Sequence, residues 1–242
     1  MNRIRNLQTS LPRGAPLDSE SLKRLGISPA LAHEYVRTGW LVRLGRGVFM
    51  FPNDKLDRDA TLRFLGKKVP GLHVAAKTAL EWHGFRQNLA VRENLRLWGS
   101  RSMALPDWFR QHFPARYSAP RLFAEELPPD YGLAALPESP EGPLVSVPER
   151  ALLEMLSEVG VSQEVGEARE IMETVRQLRS RELTALLRAC RMTKAVRLCV
   201  TWAEELALPW VEAAQEATAG RPGTSRWVKR MKDGRTLILK PS

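Results

Sequence analysis

The sequence predicts an α+β fold, and three observations carry that prediction. Helical spacing of apolar residues marks the first forty residues and returns beyond Pro148. Between them, short strand-like runs are densely punctuated by proline and glycine, which suits a small, mainly antiparallel sheet. The composition is that of a globular chain: 43% AVILMFWYC and 26% charged, with 16 Gly and 17 Pro in 242 residues. At roughly 100–200 residues per domain, this length suits one large domain or two small ones.

From the amino terminus, Ile4, Leu7 and Leu11 share one helical face, so residues 3–11 read as a short amphipathic helix stopped by Pro12. Asp18 or Ser19 can cap a second helix through Ser21–Leu25, ended by Gly26. Ser28 caps a third, with Pro29 at its first position, where a missing N–H costs nothing. It runs to about Thr38, buries Leu31, Ala32, Tyr35 and Val36, and stops at Gly39. Helix, short glycine turn, helix is the spacing of a helix-turn-helix. Two strand-like runs follow, 40–44 and 48–51, joined by Gly45-Arg46-Gly47. A glycine-flanked arginine at a hairpin tip is what a DNA-contacting wing needs, so a winged helix-turn-helix is expected over residues 1–54.

Residues 17–52, with Leu25-Gly26-Ile27-Ser28 and the run from Gly39 to Phe49, resemble the amino-terminal winged-helix domain of AbiEi-family antitoxins. These are the transcription-regulating partners in type IV toxin–antitoxin systems. The resemblance continues in Ser146-Val147-Pro148-Glu149-Arg150, similar to the family's Pro-Glu-Arg helix start. It extends to the segment from Ala195 to Leu208-Pro209-Trp210, similar to its late helix, and to the closing basic hairpin. A leucine-rich final strand ending at Lys240-Pro241-Ser242 departs from the family pattern. The resemblance implies a repressor of its own operon that counteracts a nucleotidyltransferase-type toxin through residues 55–242.

In that reading, base contacts come from Ser28, Ala30, His33 and Arg37 on the third helix. Phosphate or minor-groove contacts come from Arg43 and Arg46 of the wing, with Lys23 and Arg24 on the preceding helix. One arginine, with no Asn or Gln, is a thin surface for bidentate base contacts. Specificity is therefore expected to lean on DNA shape and on a second unit. That unit is either another copy on an inverted repeat or a basic hairpin carrying Arg226, Lys229, Arg230, Lys232 and Arg235.

Past the expected linker at 52–55, Asp59–Lys67 and His73–Gly84 read as helices. Residues 95–98, 122–123, 133–136 and 144–147 read as strands. Leu152, Met155, Leu156 and Val159 form one helical stripe, Leu183, Leu186, Leu187 and Cys190 another, and Ala195, Leu198, Cys199 and Trp202 a third. Both cysteines thus read as small buried hydrophobes. Arg150, at a helix start that disfavours cations, either pairs with a carboxylate or serves a partner surface. Asp233-Gly234 between two strand-like runs predicts the terminal hairpin.

Charge points the same way. Residues 1–60 hold 10 basic and 6 acidic side chains, 61–220 hold 20 of each, and 221–242 hold 7 against one. A surplus confined to the two ends, out of a net +10, is the footprint of a polyanion partner. Little points to catalysis or metal. The four histidines are scattered, no HExxH, CxxC or glycine-rich phosphate loop occurs, and neither cofactor nor metal is expected. A Mg²⁺ nuclease would want an Asp on one strand and an acidic-x-Lys pair on the next, and no strand carries it; Asp107 and Asp130 read as turn residues. With no apolar run near 18 residues and no signal-peptide core, a soluble cytoplasmic protein is expected. A protein-interaction module with the winged helix as mere scaffold is the alternative from a different class.

Overall fold

The computed structural model describes residues 13–85, 94–220, 227–230 and 236–239; the expected helix at 3–11 lies outside them. The chain begins with β1 (Leu17–Asp18), α1 (Ser19–Arg24) and α2 (Pro29–Arg37), followed by β2 (Val42–Gly45) and β3 (Val48–Met50). These strands form an antiparallel sheet in the order β1-β3-β2. The two-residue strand β1 had no sequence signal. It joins β3 through Leu17 opposite Phe49 and Asp18 opposite Val48.

α3 (Arg58–Gly66), β4 (His73–Val74), α4 (Ala76–Trp82), β5 (Leu95–Trp98), α5 (Asp107–His112), β6 (Ala115–Ser118), β7 (Leu133–Ala134) and β8 (Val145–Ser146) follow. The five strands β4–β8 form one sheet ordered β6-β5-β4-β8-β7. It is mixed, not mainly antiparallel: β4–β5 and β7–β8 run antiparallel, β5–β6 and β4–β8 parallel. The reason is α5, which provides the crossover that two parallel neighbours require. Asp107, expected in a turn, opens that helix. The helix expected from His73 begins as a strand, because a short apolar run of small residues has no period that separates strand from helix. Leu122-Phe123 contributes a single bridge, Phe123 to Cys190.

Helices α6 (Pro148–Glu158), α7 (Val165–Thr174), α8 (Ser180–Ala189), α9 (Thr193–Glu205) and α10 (Val211–Thr218) complete the body. The three apolar stripes of the sequence are buried on α6, α8 and α9, and both cysteines are free and buried. Burial pushes the Cys199 thiol well above its ordinary pKa. Finally, β9 (Trp227–Arg230) pairs antiparallel with β10 (Thr236–Leu239).

α6 organises the body through charges sealed in its core. Glu154 is wholly buried and accepts from the Ala76 amide (2.9 Å), Ser146 Oγ (2.8 Å), Arg150 Nε (2.9 Å) and His73 Nε2 (3.2 Å). His73 Nδ1 lies 2.7 Å from the Gly71 carbonyl, so both ring nitrogens face groups that can only accept. Arg150 also donates to the Pro129 and Tyr131 carbonyls, at 3.0 and 2.7 Å. It is therefore a clasp from a helix start onto a loop. Glu149 holds the Arg179 guanidinium at 3.1 and 3.0 Å and its amide at 2.7 Å.

Burial raises the Glu154 carboxyl, yet the hydrogen bond and charge of His73, the charge of Arg150 and the Ala76 amide outweigh it and hold the pKa below the carboxylate range. A depressed carboxylate contributes stability that is present above its unfolded pKa, about 4.3, and is lost as pH falls through the folded value. Glu154→Gln should therefore destabilise the chain by about 3–5 kcal/mol near neutrality, and that penalty should shrink as pH drops below about 4. Urea denaturation across pH measures both.

The front module is bolted to this body. Val48 and Met50 of β3 pack into the large core, while Phe49 and Phe51 pack into a smaller one with Leu17, Leu22, Ile27 and Leu41. Gly45 lies against Trp108 of α5: a Cβ there would sit 2.8 Å from Trp108 Cδ1. Gly45→Ala should cost about 1–3 kcal/mol in chemical denaturation, and much less in a Trp108→Ala background where the clash is gone.

Candidate nucleic-acid interface

The interface is built outward from two helix caps and one tether. Asp18 Oδ1 accepts from the Ser21 amide (2.8 Å) and starts α1. Ser19 then donates from its amide to the Gly47 carbonyl at 3.1 Å, fixing the hairpin tip beside the start of α1. Gly47 has φ of 68°, a conformation that disfavours side chains, whereas Gly45 is required for its approach to Trp108. Ser28 Oγ accepts from the Leu31 amide (3.2 Å) and starts α2.

α2 buries Ala32 and Tyr35, so its 100° step leaves Ala30, His33, Glu34 and Arg37 on the outward face. Opposite it, β2 and β3 close through Arg46-Gly47. Between helix and hairpin lies a cleft of about 260 Å³ with an apolar floor that includes Leu22, Ile27 and Phe49. His33 and Val36 line it from α2, Arg43 and Gly47 from the hairpin.

Every residue expected to touch DNA in the front module is exposed: Lys23, Arg24, Ser28, Ala30, His33, Arg37, Arg43 and Arg46. The cleft brings His33 and Arg43 together. The rest carry individual obligations. Ser28 spends its hydroxyl on capping. Lys23 and Arg24 sit in the last turn of α1, where cations also suit the helix dipole, and Arg24 Nη2 donates to Ser21 Oγ at 3.1 Å. Arg43 Nε donates to the Gly45 carbonyl at 3.3 Å.

Arg37 is forked onto Glu34, with Nε to Oε2 at 2.9 Å and Nη2 to Oε1 at 2.5 Å. The Arg37 hydrogen bond pulls the Glu34 carboxyl below its usual pKa, and the same bond raises Arg37. The outward face of α2 therefore carries an internal counter-ion. Sequence reasoning passed over Glu34, although its i, i+3 spacing to Arg37 on one helix was a legible signal. It also missed Trp40 and Val42, 46% and 43% exposed on the stretch joining α2 to the hairpin. Of the expected second basic surface, Lys229 and Arg230 lie on the backbone of β9, and Arg226, Lys232 and Arg235 fall outside the described residues.

The Asp18 carboxyl that caps α1 also pairs with Lys68 of the body at 2.7 Å. Burial pushes its pKa up, but the Lys68 and Ser21 hydrogen bonds prevail and bring it down to about 2. Among the described residues, no group of three or more His, Cys, Asp or Glu side chains could hold a metal ion, and no helix is long and apolar enough to cross a membrane.

Two family comparisons bear on this architecture. The family described as "Transcriptional regulator, AbiEi antitoxin, Type IV TA system" matches residues 92–238, and "Transcriptional regulator, AbiEi antitoxin N-terminal domain" matches residues 1–91. The chain belongs to the AbiEi antitoxin family. Among solved structures, it is similar to the RV2827C protein from Mycobacterium tuberculosis, with a TM-score of 0.58 at 17% identity, covering 89% of this chain and 79% of that one. At that identity the likeness shows a shared fold alone. No curated protein matches the chain.

In this AbiEi chain, the Asp18–Lys68 contact should be visible by titration. NMR should place the Asp18 carboxyl near 2, and Lys68→Ala should move it upward toward the ordinary Asp value of 3.8. The stability this contact contributes is present above the unfolded value and disappears as pH falls through the folded one.

Proposed function

We propose that residues 13–51 form a winged helix-turn-helix that binds duplex DNA, within a unit spanning residues 1–54, and that residues 55–242 carry the antitoxin function. One observation supports this best: the outward face of α2 and the Arg43–Gly47 hairpin flank a common cleft, with His33 and Arg43 on its rim. A helix laid in the major groove with a cationic finger over the adjoining backbone is the docking such a shape permits. Membership of a transcriptional-regulator family agrees with it.

In this reading the chain is a cytoplasmic, non-enzymatic repressor of its own toxin–antitoxin operon that counteracts a nucleotidyltransferase-type toxin. Ala30, His33 and Arg37 meet base edges, with Ser28 close by. Lys23, Arg24, Arg43 and Arg46 meet phosphates. The operator carries an inverted repeat, because one such face offers few bidentate contacts and a second copy must supply the rest. Basic residues near the end, Arg226, Lys229, Arg230, Lys232 and Arg235, add a second phosphate-binding surface.

A salt titration of the full chain on operator and random duplexes tests the reading. Each phosphate neutralised contributes about −0.9 to the slope of log K against log salt. Arg46→Ala should flatten the slope by about one unit and weaken all sequences alike. Arg37→Ala should weaken the operator more than random DNA. Glu34→Gln should do the opposite to non-specific binding, tightening it at low salt, because it frees Arg37 and removes a like charge from the phosphates. If none of the three changes binding, α2 and the hairpin are not the interface.

A further inference from the structure

A second cleft, of about 430 Å³, opens in the body, away from the front module. That volume lies in the range of small-molecule sites. Its place in the sheet is informative. β5 and β6 are parallel neighbours joined through α5, and the cleft is lined by Gly99 and Ser100, immediately beyond β5, and by Arg121, shortly beyond β6. The carboxyl ends of parallel strands are where open α/β sheets hold their ligands.

The lining is cationic. Arg121, Arg150 and Arg191 reach it from three different segments, against a single carboxylate on its wall, Glu125. Arg150 is committed to Glu154 and two carbonyls, so its guanidinium is a fixed, buried part of the wall. Arg121 and Arg191 are exposed and have no carboxylate partner among the described residues. The 122–124 and 189–191 segments are paired through the Arg191 amide to the Leu122 carbonyl (2.8 Å) and the Ala124 amide to the Ala189 carbonyl (2.8 Å), which brings the two arginine-bearing segments together at the cleft. Two exposed guanidinium groups without a carboxylate partner among the described residues, beside a third that is fixed in the wall, present N–H forks to an oxyanion entering the cleft.

We propose that this cleft binds a small phosphorylated molecule of nucleotide size, its phosphate held by Arg121 and Arg191. The site is separate from the DNA-facing surface and does not depend on it. Guanidinium forks match carboxylate and phosphate alike, and it is the higher charge of phosphate that suits two arginines at once, while the volume leaves room for the ligand's remainder.

Isothermal titration calorimetry of the full chain with adenosine monophosphate, adenosine and inorganic phosphate, at near-physiological salt, decides it. Adenosine monophosphate should bind at least about tenfold more tightly than adenosine, and inorganic phosphate should compete with it. Arg121→Ala and Arg191→Ala should each weaken binding by about tenfold or more while leaving the melting temperature unchanged, since neither side chain is buried or paired. Arg46→Ala should leave it intact. Absence of binding by both phosphate and adenosine monophosphate overturns the proposal. So does binding that survives both cleft substitutions, or binding that Arg46→Ala removes, which would belong to the front module.

Discussion

Strand β3 is the piece on which the rest of the molecule depends, because both of its faces are buried. Val48 and Met50 point into the large core, Phe49 and Phe51 into the small one, and all four are less than a tenth exposed. A strand alternates sides at every residue, so a four-residue run with no polar member can only sit between two apolar bodies. A hairpin arm that merely projected would need polar residues on its outer face. The consequence is mechanical. The hairpin rises from a strand gripped by the body, with Trp108 against Gly45 and Lys68 against Asp18 on the same side. A cut near residue 54 would expose Val48 and Met50 to water, so function is better dissected by point substitution in the whole chain than by separating halves.

Such a grip matters because the outward face is lightly charged. Arg37 begins half-neutralised by Glu34, and Ser28 has its hydroxyl in use. Exposed ion pairs are weak in water, so the Glu34 pair does not by itself forbid the contact proposed for Arg37. With so little charge on the helix, the proposed DNA binding would take its positioning from the hairpin, which is already held by the body and so would carry little ordering cost on association. Residues 61–220 hold 20 basic and 20 acidic side chains, so the net surplus of the chain lies outside that stretch.

Much of this was legible in the sequence. Helices α1 and α2, their caps, the hairpin and the three apolar stripes of the body all follow from spacing and from residue types with one conformational use, such as Ser28-Pro29 and Gly47. What resisted reading was whatever depends on partners distant in sequence. β1 and β4 are two residues each, too short for any period, and exist because β3 and β5 offer them backbone groups. Parallel pairing of β5 with β6 hinges on α5, whose start at Pro106-Asp107 resembles a turn. Gly45 looked like a turn glycine beside Gly47; only the packed structure shows that the space for its Cβ is taken by Trp108. Glu34, by contrast, could have been read from the helical spacing alone.

The Pro-Glu-Arg start of α6 shows how a charged motif can specify a fold rather than a reaction. Replacing buried ions by well-packed hydrocarbon often leaves a protein as stable or more so, so Glu149, Arg150 and Glu154 are poorly explained by stability alone. What they do that leucines could not is count partners. Glu154 is satisfied only if β4, β8, the start of α4 and Arg150 arrive together, and Glu149 only if Arg179 sets the start of α8. An alternative packing of these short strands would strand a carboxylate in the core, a penalty far larger than a misplaced methyl group. For a sheet whose strands are two to four residues long, and whose hydrophobic pattern therefore fixes register weakly, such all-or-nothing polar contacts select one arrangement among many. They also fix Arg150 in the wall of the body cleft, so the same network that sets the sheet's register sets the position of one of its three guanidinium groups.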